Sequence, residues 1–429
     1  MPDHLRDTMS ELSTIRRVGI LSLHSSPLAP LGSADAGGMN YYVSRLSDEL
    51  SERGLAVDVF TRRTSTAVPL VVHRDSGVRV VHIEAGPVAP VRKDMLPLYV
   101  PDMLSSLRAW EADQPEPYDV WHSHYWISGV TALRLRADSE APVVHMFHTM
   151  ARVKEHYFDG ALMESDFRLH GERCVIGGAD VIIGATSLEY DQFHSLYERT
   201  PAAFKIIPPG VDLDVFSPRD RLESRKRLGI EAERVILFVG RPDRIKGLGT
   251  LLSTFSQLPA GLRQETQLIV VGDAASWESS DGRDVQERVQ VLSLSEHVDL
   301  RGSVPQNELS AYYAAADITA MPSAYESFGM VASESMACST PVVGFDVGGL
   351  ATIIRDGQTG YLARTGDLDA FARTLERALL DPERDAVGRR ARLSVQRYSW
   401  NRTAADTLAT YVEARESRLD RVARAAGQD

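Results

Sequence analysis

Cysteine is scarce: Cys174 and Cys338 are the only two in 429 residues. That excludes a small scaffold stapled by disulfides and fits thiols kept reduced in a cytoplasm. Both lie in apolar, helical-looking segments and are expected to be buried. Long hydrophobic runs are missing as well. No stretch approaches the roughly 18 apolar residues of a membrane span, and residues 1–14 lack the apolar core of a signal peptide, so they read as a disordered leader. Excess positive charge is the third absence. The 47 Lys and Arg stand against 59 Asp and Glu, a net charge of −12, which argues against nucleic acid or an anionic membrane as the main partner. A local basic pocket is compatible with that balance, and so is a homodimer.

At 429 residues the chain exceeds one comfortable core, so two α/β domains are expected. In the first half, short apolar runs alternate with amphipathic stretches. Val18–Leu23, Val57–Thr61, Val78–Ile83, Asp119–His122, Val143–Phe147, Val181–Ala185 and Lys205–Ile207 read as strands. A helix is expected from about Met39 to Arg53, with Met39, Tyr42, Val43, Leu46 and Leu50 on one face. This βαβ alternation predicts a parallel sheet. Turn residues at Pro208–Asp212 mark a linker, after which Val235–Gly240, Gln267–Gly272, Val298–Leu300, Ile318–Met321 and Pro341–Phe345 form a second strand series. The amphipathic segment Trp400–Ser417 is expected to return to the first half. The expected division is therefore 15–207 completed by a helix at 399–420, and 208–398, two Rossmann-like domains with parallel sheets facing across a cleft. Ligands of such folds bind at the carboxyl ends of the strands.

Three constellations carry chemistry. The first is the stretch from Gly32 to Asn40, with Asp35 and the pair Gly37-Gly38 between the first strand and its helix. Paired glycines there let backbone N–H groups approach an anion at a helix N-terminus, although a purely structural turn reads the same way. The second runs from Val239 to Gly247, where Arg241 and Lys246 follow a strand and precede a helix. A guanidinium fork and an ammonium suit a diphosphate, and two solvated cations are the plainer reading. The third runs from Glu326 to Glu334. If both were helical, these carboxylates would lie about 80° apart around the helix and about 12 Å apart along it. That exceeds the roughly 5–9.5 Å of paired glycosidase acids and suits two parts of one long ligand. A capping acid followed by an exposed helical acid would look identical.

The order of these elements from about residue 17 to 415 resembles glycosyltransferase family 4, retaining enzymes of GT-B fold. The resemblance implies a UDP-sugar donor, with Arg241 and Lys246 gripping its diphosphate, Glu326 facing the sugar and Glu334 the ribose. It adds Gly38, Val304, Phe328, Gly329 and Met330 to the donor side. Fixed cations would stabilise the departing diphosphate in a poorly hydrated site, so no catalytic metal or other cofactor is expected. No Asp-x-Asp motif is placed as in metal-dependent transferases.

Within the family, His24–Leu28, Asp35–Asn40 and His122–Trp126 are similar to the branch that glycosylates an inositol phosphate from UDP-N-acetylglucosamine. For that branch the resemblance implies an acceptor-phosphate grip of Lys93, Tyr125, Thr149 and Arg168, with His24, Asp35, Gly37 and Asn40 on the acceptor loop and His148 contacting the transferred sugar. All four grip residues can donate hydrogen bonds to a dianion. Front-face attack, in which the leaving phosphate takes the acceptor's proton, needs no base at His148. Three residues depart from the pattern: Ala351 after Gly348-Gly349-Leu350, Ser339 before Thr340-Pro341, and Pro242 after Arg241. Alternatives are a sucrose-phosphate-synthase-like transferase, which Lys154 would suit, a UDP-N-acetylglucosamine 2-epimerase, and a non-catalytic sensor. The epimerase would have no use for a second phosphate grip, and the sensor should have lost Glu326, Arg241 or Lys246.

Overall fold

The computed structural model describes residues 15–29, 37–157, 164–272 and 277–426, so the leader at 1–14 and Asp35 lie outside the described residues. The described chain forms two units, one made of 15–29, 38–208 and 400–426, the other of 209–399 together with Gly37.

Apolar runs with few polar interruptions become the inner strands, buried on both faces as parallel sheets require, and shorter, partly exposed runs become the edges. In the first unit these are β1 (Arg17–Leu21), β2 (Ala56–Arg62), β3 (Val71–His73), β4 (Arg79–Ile83), β5 (Val120–His124), β6 (Val143–Met146), β7 (Val181–Gly184) and β8 (Phe204–Ile206). Their order is β3-β4-β2-β1-β5-β6-β7-β8. One strand departs from the expected parallel pattern: β3 runs antiparallel to β4. Only Arg74–Val78 joins them, a tight turn with Gly77 at φ 92°. So short a link closes a hairpin and cannot make the crossover a parallel pair needs.

Helix α1 (Gly38–Glu52) buries Tyr42, Val43, Leu46 and Leu50, four of the five residues expected on its inner face. Helix α2 (Trp126–Leu135) follows β5 directly, and α3 (Asp166–Gly178) packs on α2. On α3 the buried face is Arg168, Gly171, Glu172, Val175 and Ile176. Cys174 therefore falls on the outer face and is exposed, contrary to expectation, while Cys338 is buried and both thiols are free. The C-terminal helix, Trp400–Ala426, belongs to this first unit, where Thr403 donates to the Pro208 carbonyl at 2.8 Å.

The second unit holds β9 (Arg234–Val239), β10 (Thr266–Val271), β11 (Val298–Arg301), β12 (Ile318–Met321), β13 (Val342–Phe345) and β14 (Tyr361–Ala363). They form an all-parallel sheet of order β11-β10-β9-β12-β13-β14. Two of its helices follow strands at the centre of that sheet, α4 (Leu248–Ser256) after β9 and α5 (Met330–Ala337) after β12. Among the described residues no helix is long and apolar enough to cross a membrane.

Candidate functional site

In each unit the strand order reverses direction at one point, between β1 and β5 in the first sheet and between β9 and β12 in the second. At such a switch point the connections leave to opposite sides and open a crevice beyond the carboxyl ends. Of the expected site residues, His24 and Tyr125 follow the two strands at the first point, and Arg241 and Glu326 follow the two at the second.

In the first unit His24 follows β1, Tyr125 follows β5, and His148 and Thr149 follow β6. The His24 and Tyr125 rings are 4.2 Å apart. The Arg168 guanidinium, from the first turn of α3, lies 5.1 Å from the centre of the Tyr125 ring. Its Nη2 donates to the Thr149 carbonyl at 3.1 Å and reaches the Thr149 hydroxyl at 3.4 Å. Lys93 is exposed at the start of a short 3-10 helix, and its charge acts on both His24 and Lys154. Asn40 is buried on α1 and donates to Ser25 Oγ and the Ser26 carbonyl at 2.5 and 2.7 Å, which pins the chain after β1. Tyr125 and His148 hold left-handed backbone conformations, with φ of 69° and 60°. Non-glycine residues adopt these at a cost, and such strain concentrates where a side chain must be aimed.

Two carboxylates that the sequence motifs do not mark as site residues share Arg168. Nε donates to Glu172 and Nη1 to Glu164, both at 2.8 Å, and Lys154 Nζ also reaches Glu164 at 3.4 Å. Burial lowers the affinity of Arg168 for its proton, but Glu172, Tyr125 and Glu164 outweigh it, and the guanidinium stays charged. A signal for them is present in the chain: residues 164, 168 and 172 carry acid, base and acid at four-residue spacing.

Behind these groups lies a cluster of buried histidines. His124 Nδ1 and His148 Nε2 are 2.9 Å apart, His122 Nδ1 is 2.7 Å from the Tyr411 hydroxyl, and His145 Nδ1 is 2.8 Å from Ser123 Oγ. Burial pushes His148 down to about 3, and burial together with the charges of Lys93, His148 and Arg168 does the same to His24. These imidazoles are neutral at physiological pH and act as hydrogen-bonding groups. Among the described residues no three His, Cys, Asp or Glu side chains are grouped to hold a metal ion.

In the second unit Lys246, just before α4, meets Glu326 on the loop after β12: Nζ donates to Oε1 at 2.6 Å, and Ser323 Oγ donates to the same oxygen at 2.9 Å. Burial disfavours the ammonium, but Glu326 more than compensates and raises its affinity for the proton. Arg241 lies 3.4 Å from Asp243 on the same loop. Glu326 and Glu334 do not share a helix. Gly329, at φ 95°, separates the loop from α5, so only Glu334 is helical. Both acids are buried, at 8% and 6% exposure, which removes the exposed-acid reading. Glu334 accepts from the Tyr313 hydroxyl at 2.8 Å. Burial lifts its carboxyl up to about 7, against the lowering effect of that hydrogen bond.

Phe328 is buried edge-on against Tyr398, and Met330 is half-buried at the start of α5. Val304, half-buried after β11, makes no bond to the Lys246–Glu326 pair among the described residues. The loop is braced by Gly348 and Gly349, which in the sequence read only as a turn. Gly349 N–H donates to the Glu326 carbonyl at 2.7 Å, and a Cβ on Gly349 would sit 2.3 Å from Phe328 Cα. Only glycine lets the two backbones approach so closely. Gly37 and Gly38 stand at the start of α1, with Gly37 half-buried and Gly38 exposed.

Comparison with known proteins bears on the same elements. The family described as Glycosyltransferase Family 4 matches residues 36–215, and that described as Glycosyl transferases group 1 matches residues 220–394. A D-inositol 3-phosphate glycosyltransferase of Nocardioides sp. is 39% identical over 431 residues, covering 96% of this chain and 93% of its own. That of Kribbella flavida is 38% identical, covering 94% and 97%. Among solved structures, sucrose-phosphate synthase of Thermosynechococcus elongatus superposes with a TM-score of 0.86 at 30% identity, covering 93% of this chain and 98% of its own. Anabaena HepE in complex with UDP-glucose gives 0.72 at 20% identity, over 92% and 99%.

Proposed function

The chain belongs to glycosyltransferase family 4, and from that premise we propose that it moves N-acetylglucosamine from UDP-N-acetylglucosamine to an inositol phosphate with retention of configuration. One observation carries the acceptor half of this reading. The first unit aims the charged Arg168 at Tyr125 and Thr149, beyond strands that take no part in the Arg241 and Lys246 grip of the second unit. A protein that bound only a nucleotide sugar would have no use for this second anion grip. The names and near-complete coverage of the relatives support the same choice.

In the donor half, Arg241 and Lys246 hold the diphosphate, and the N-terminus of α5 turns backbone N–H groups toward the donor. The acceptor hydroxyl attacks the anomeric carbon on the face from which UDP departs. The bond from that carbon to the β-phosphate oxygen breaks, and the freed phosphate oxygen takes the hydroxyl proton. Negative charge grows on the diphosphate, where Lys246 is already desolvated and held by Glu326. His148 donates or accepts a hydrogen bond with the sugar as a neutral ring and takes no proton, since burial holds it down at about 3.

A sucrose-phosphate-synthase-like reaction is the second reading, favoured by Lys154 beside Arg168 on Glu164. A donor-by-acceptor screen reading released UDP separates the two. It pairs UDP-N-acetylglucosamine and UDP-glucose with inositol phosphate, fructose 6-phosphate and their unphosphorylated forms. UDP release with inositol phosphate and UDP-N-acetylglucosamine is expected, whereas release only with fructose 6-phosphate selects the second reading. Epimerisation of the donor without any acceptor would overturn both.

Glu334 gives this donor site a pH dependence. An ordinary glutamate is ionised at both pH 6 and pH 8, but a carboxyl lifted to about 7 takes up a proton between them. The protonated acid accepts one hydroxyl fewer from the ribose. The KM for the nucleotide sugar should rise about tenfold from pH 8 to pH 6, one unit below the midpoint. Glu334→Gln should have a high KM that no longer responds to pH, and a Glu334→Gln profile parallel to wild type would remove Glu334 from this role.

A further inference from the structure

Arg168 has five N–H donors, and the structure shows how they are shared. Nε serves Glu172, Nη2 serves Thr149, and Nη1 serves Glu164. The two carboxylates differ in kind. Glu172 is fully buried and also accepts from the Ala151 N–H and the Tyr197 hydroxyl, so it belongs to the framework. Glu164 has a side chain 24% exposed, and its partners among the described residues are Arg168 and Lys154. Arg168 belongs to the acceptor grip, and Lys154 is the cation beside it on the same carboxylate. The Glu164 backbone is tied independently, its N–H donating to Glu155 Oε1 at 3.1 Å. Glu164 is therefore not needed to anchor its own segment through its side chain.

Charge then sets a condition. Arg168, Lys154 and Lys93 face Glu172 and Glu164, so the cations outnumber the carboxylates around this grip. A phosphate monoester brings about −1.5 to −2 at pH 7. A phosphate held between Arg168 and Lys154 competes with Glu164 for Nη1 and for the ammonium.

Resting on the acceptor reading above, we propose that Glu164 is a specificity-determining residue, an internal anion that occupies the phosphate grip and yields only to a ligand of higher charge. A phosphate dianion, with three oxygens in tetrahedral array, outcompetes one carboxylate oxygen for the two cations. A carboxylate ligand, a monoanion or an uncharged polyol does not. Selectivity for a phosphorylated acceptor thus comes from a repulsive element as much as from the cations.

The test needs no turnover. Binding of inorganic phosphate to the full chain, with the donor site filled by UDP, is measured by titration calorimetry for wild type, Glu164→Gln, and Glu164→Gln combined with Lys154→Met. Glu164→Gln should bind phosphate about tenfold more tightly, the effect of one charge-assisted hydrogen bond released to the ligand. Adding Lys154→Met should cancel most of that gain, and UDP affinity should be the same in all three. Unchanged or weaker phosphate binding in Glu164→Gln, or no detectable binding by either protein, overturns the proposal. Failure of the donor-by-acceptor screen would instead overturn the functional reading, since phosphate affinity is independent of which acceptor is glycosylated.

Discussion

Replacing Lys246 by methionine should lower kcat by roughly 10²- to 10³-fold, the usual loss when one fixed group that stabilises transition-state charge is removed. KM for the nucleotide sugar should change far less. In the free protein the Lys246 ammonium is paired with Glu326 at 2.6 Å, so part of its charge is already balanced before the donor binds. As the glycosidic bond breaks, charge accumulates on the leaving diphosphate, and the cation is worth most at that moment. Glu326→Ala should also cut turnover severely, with the fold intact, because the Gly349 N–H still holds the loop through the Glu326 backbone carbonyl. Since Lys246 and Glu326 share one ion pair, the double substitution should cost less than the sum of the singles. Steady-state assays of UDP release on both singles and the double decide the matter. Near-normal turnover in Lys246→Met would remove it from the site.

Arg168→Ala should produce two separable losses. One is in binding: kcat/KM for the phosphorylated acceptor should fall by an amount equivalent to about 1.5–3 kcal/mol, the range for hydrogen bonds to charged groups, with donor KM nearly unchanged. The other is in the fold. Glu172 is fully buried, and without Arg168 its carboxylate keeps, among the described residues, the Ala151 N–H and the Tyr197 hydroxyl. Breaking a buried pair by removing one partner costs about 3–5 kcal/mol. The lower end is expected here, because burial already raises the Glu172 carboxyl above its ordinary value, despite Arg168, and it can take up a proton. Urea unfolding reads this loss directly. Arg168→Ala combined with Glu172→Gln should recover most of the stability while remaining poor in acceptor binding. An equal loss for donor and acceptor in that double variant would refute the acceptor assignment.

The surroundings of Arg168 mark a limit of the linear sequence. Its motif context leads one to expect a donor to phosphate, yet cannot say how many of its N–H groups are already engaged. Residues 164, 168 and 172 recur at helical spacing, but Glu164 lies before α3, so the spacing alone does not place its carboxylate on the guanidinium. Cys174 shows the same limit in a simpler form. Its apolar neighbours suggest burial, but which face of α3 turns inward is decided by packing against α2.

The strand series is readable because parallel strands buried on both faces must be apolar throughout, and the chain has little else that is apolar over four to six residues. Edge strands β3 and β14 escape that signal: Val71–His73 and Tyr361–Ala363 are three residues long, although β8, as short and also at an edge, overlaps the expected Lys205–Ile207. The sequence by itself determined the βαβ series, the motif residues at the strand ends, and a charge balance unsuited to nucleic acid. What only the tertiary structure decided is which charges meet. Lys246 and Glu326 are 80 residues apart, and Gly349 supports Glu326 from the next strand's turn. Such pairings depend on where the sheet reverses its strand order, and that is settled by the packing of the whole sheet rather than by any local run of residues.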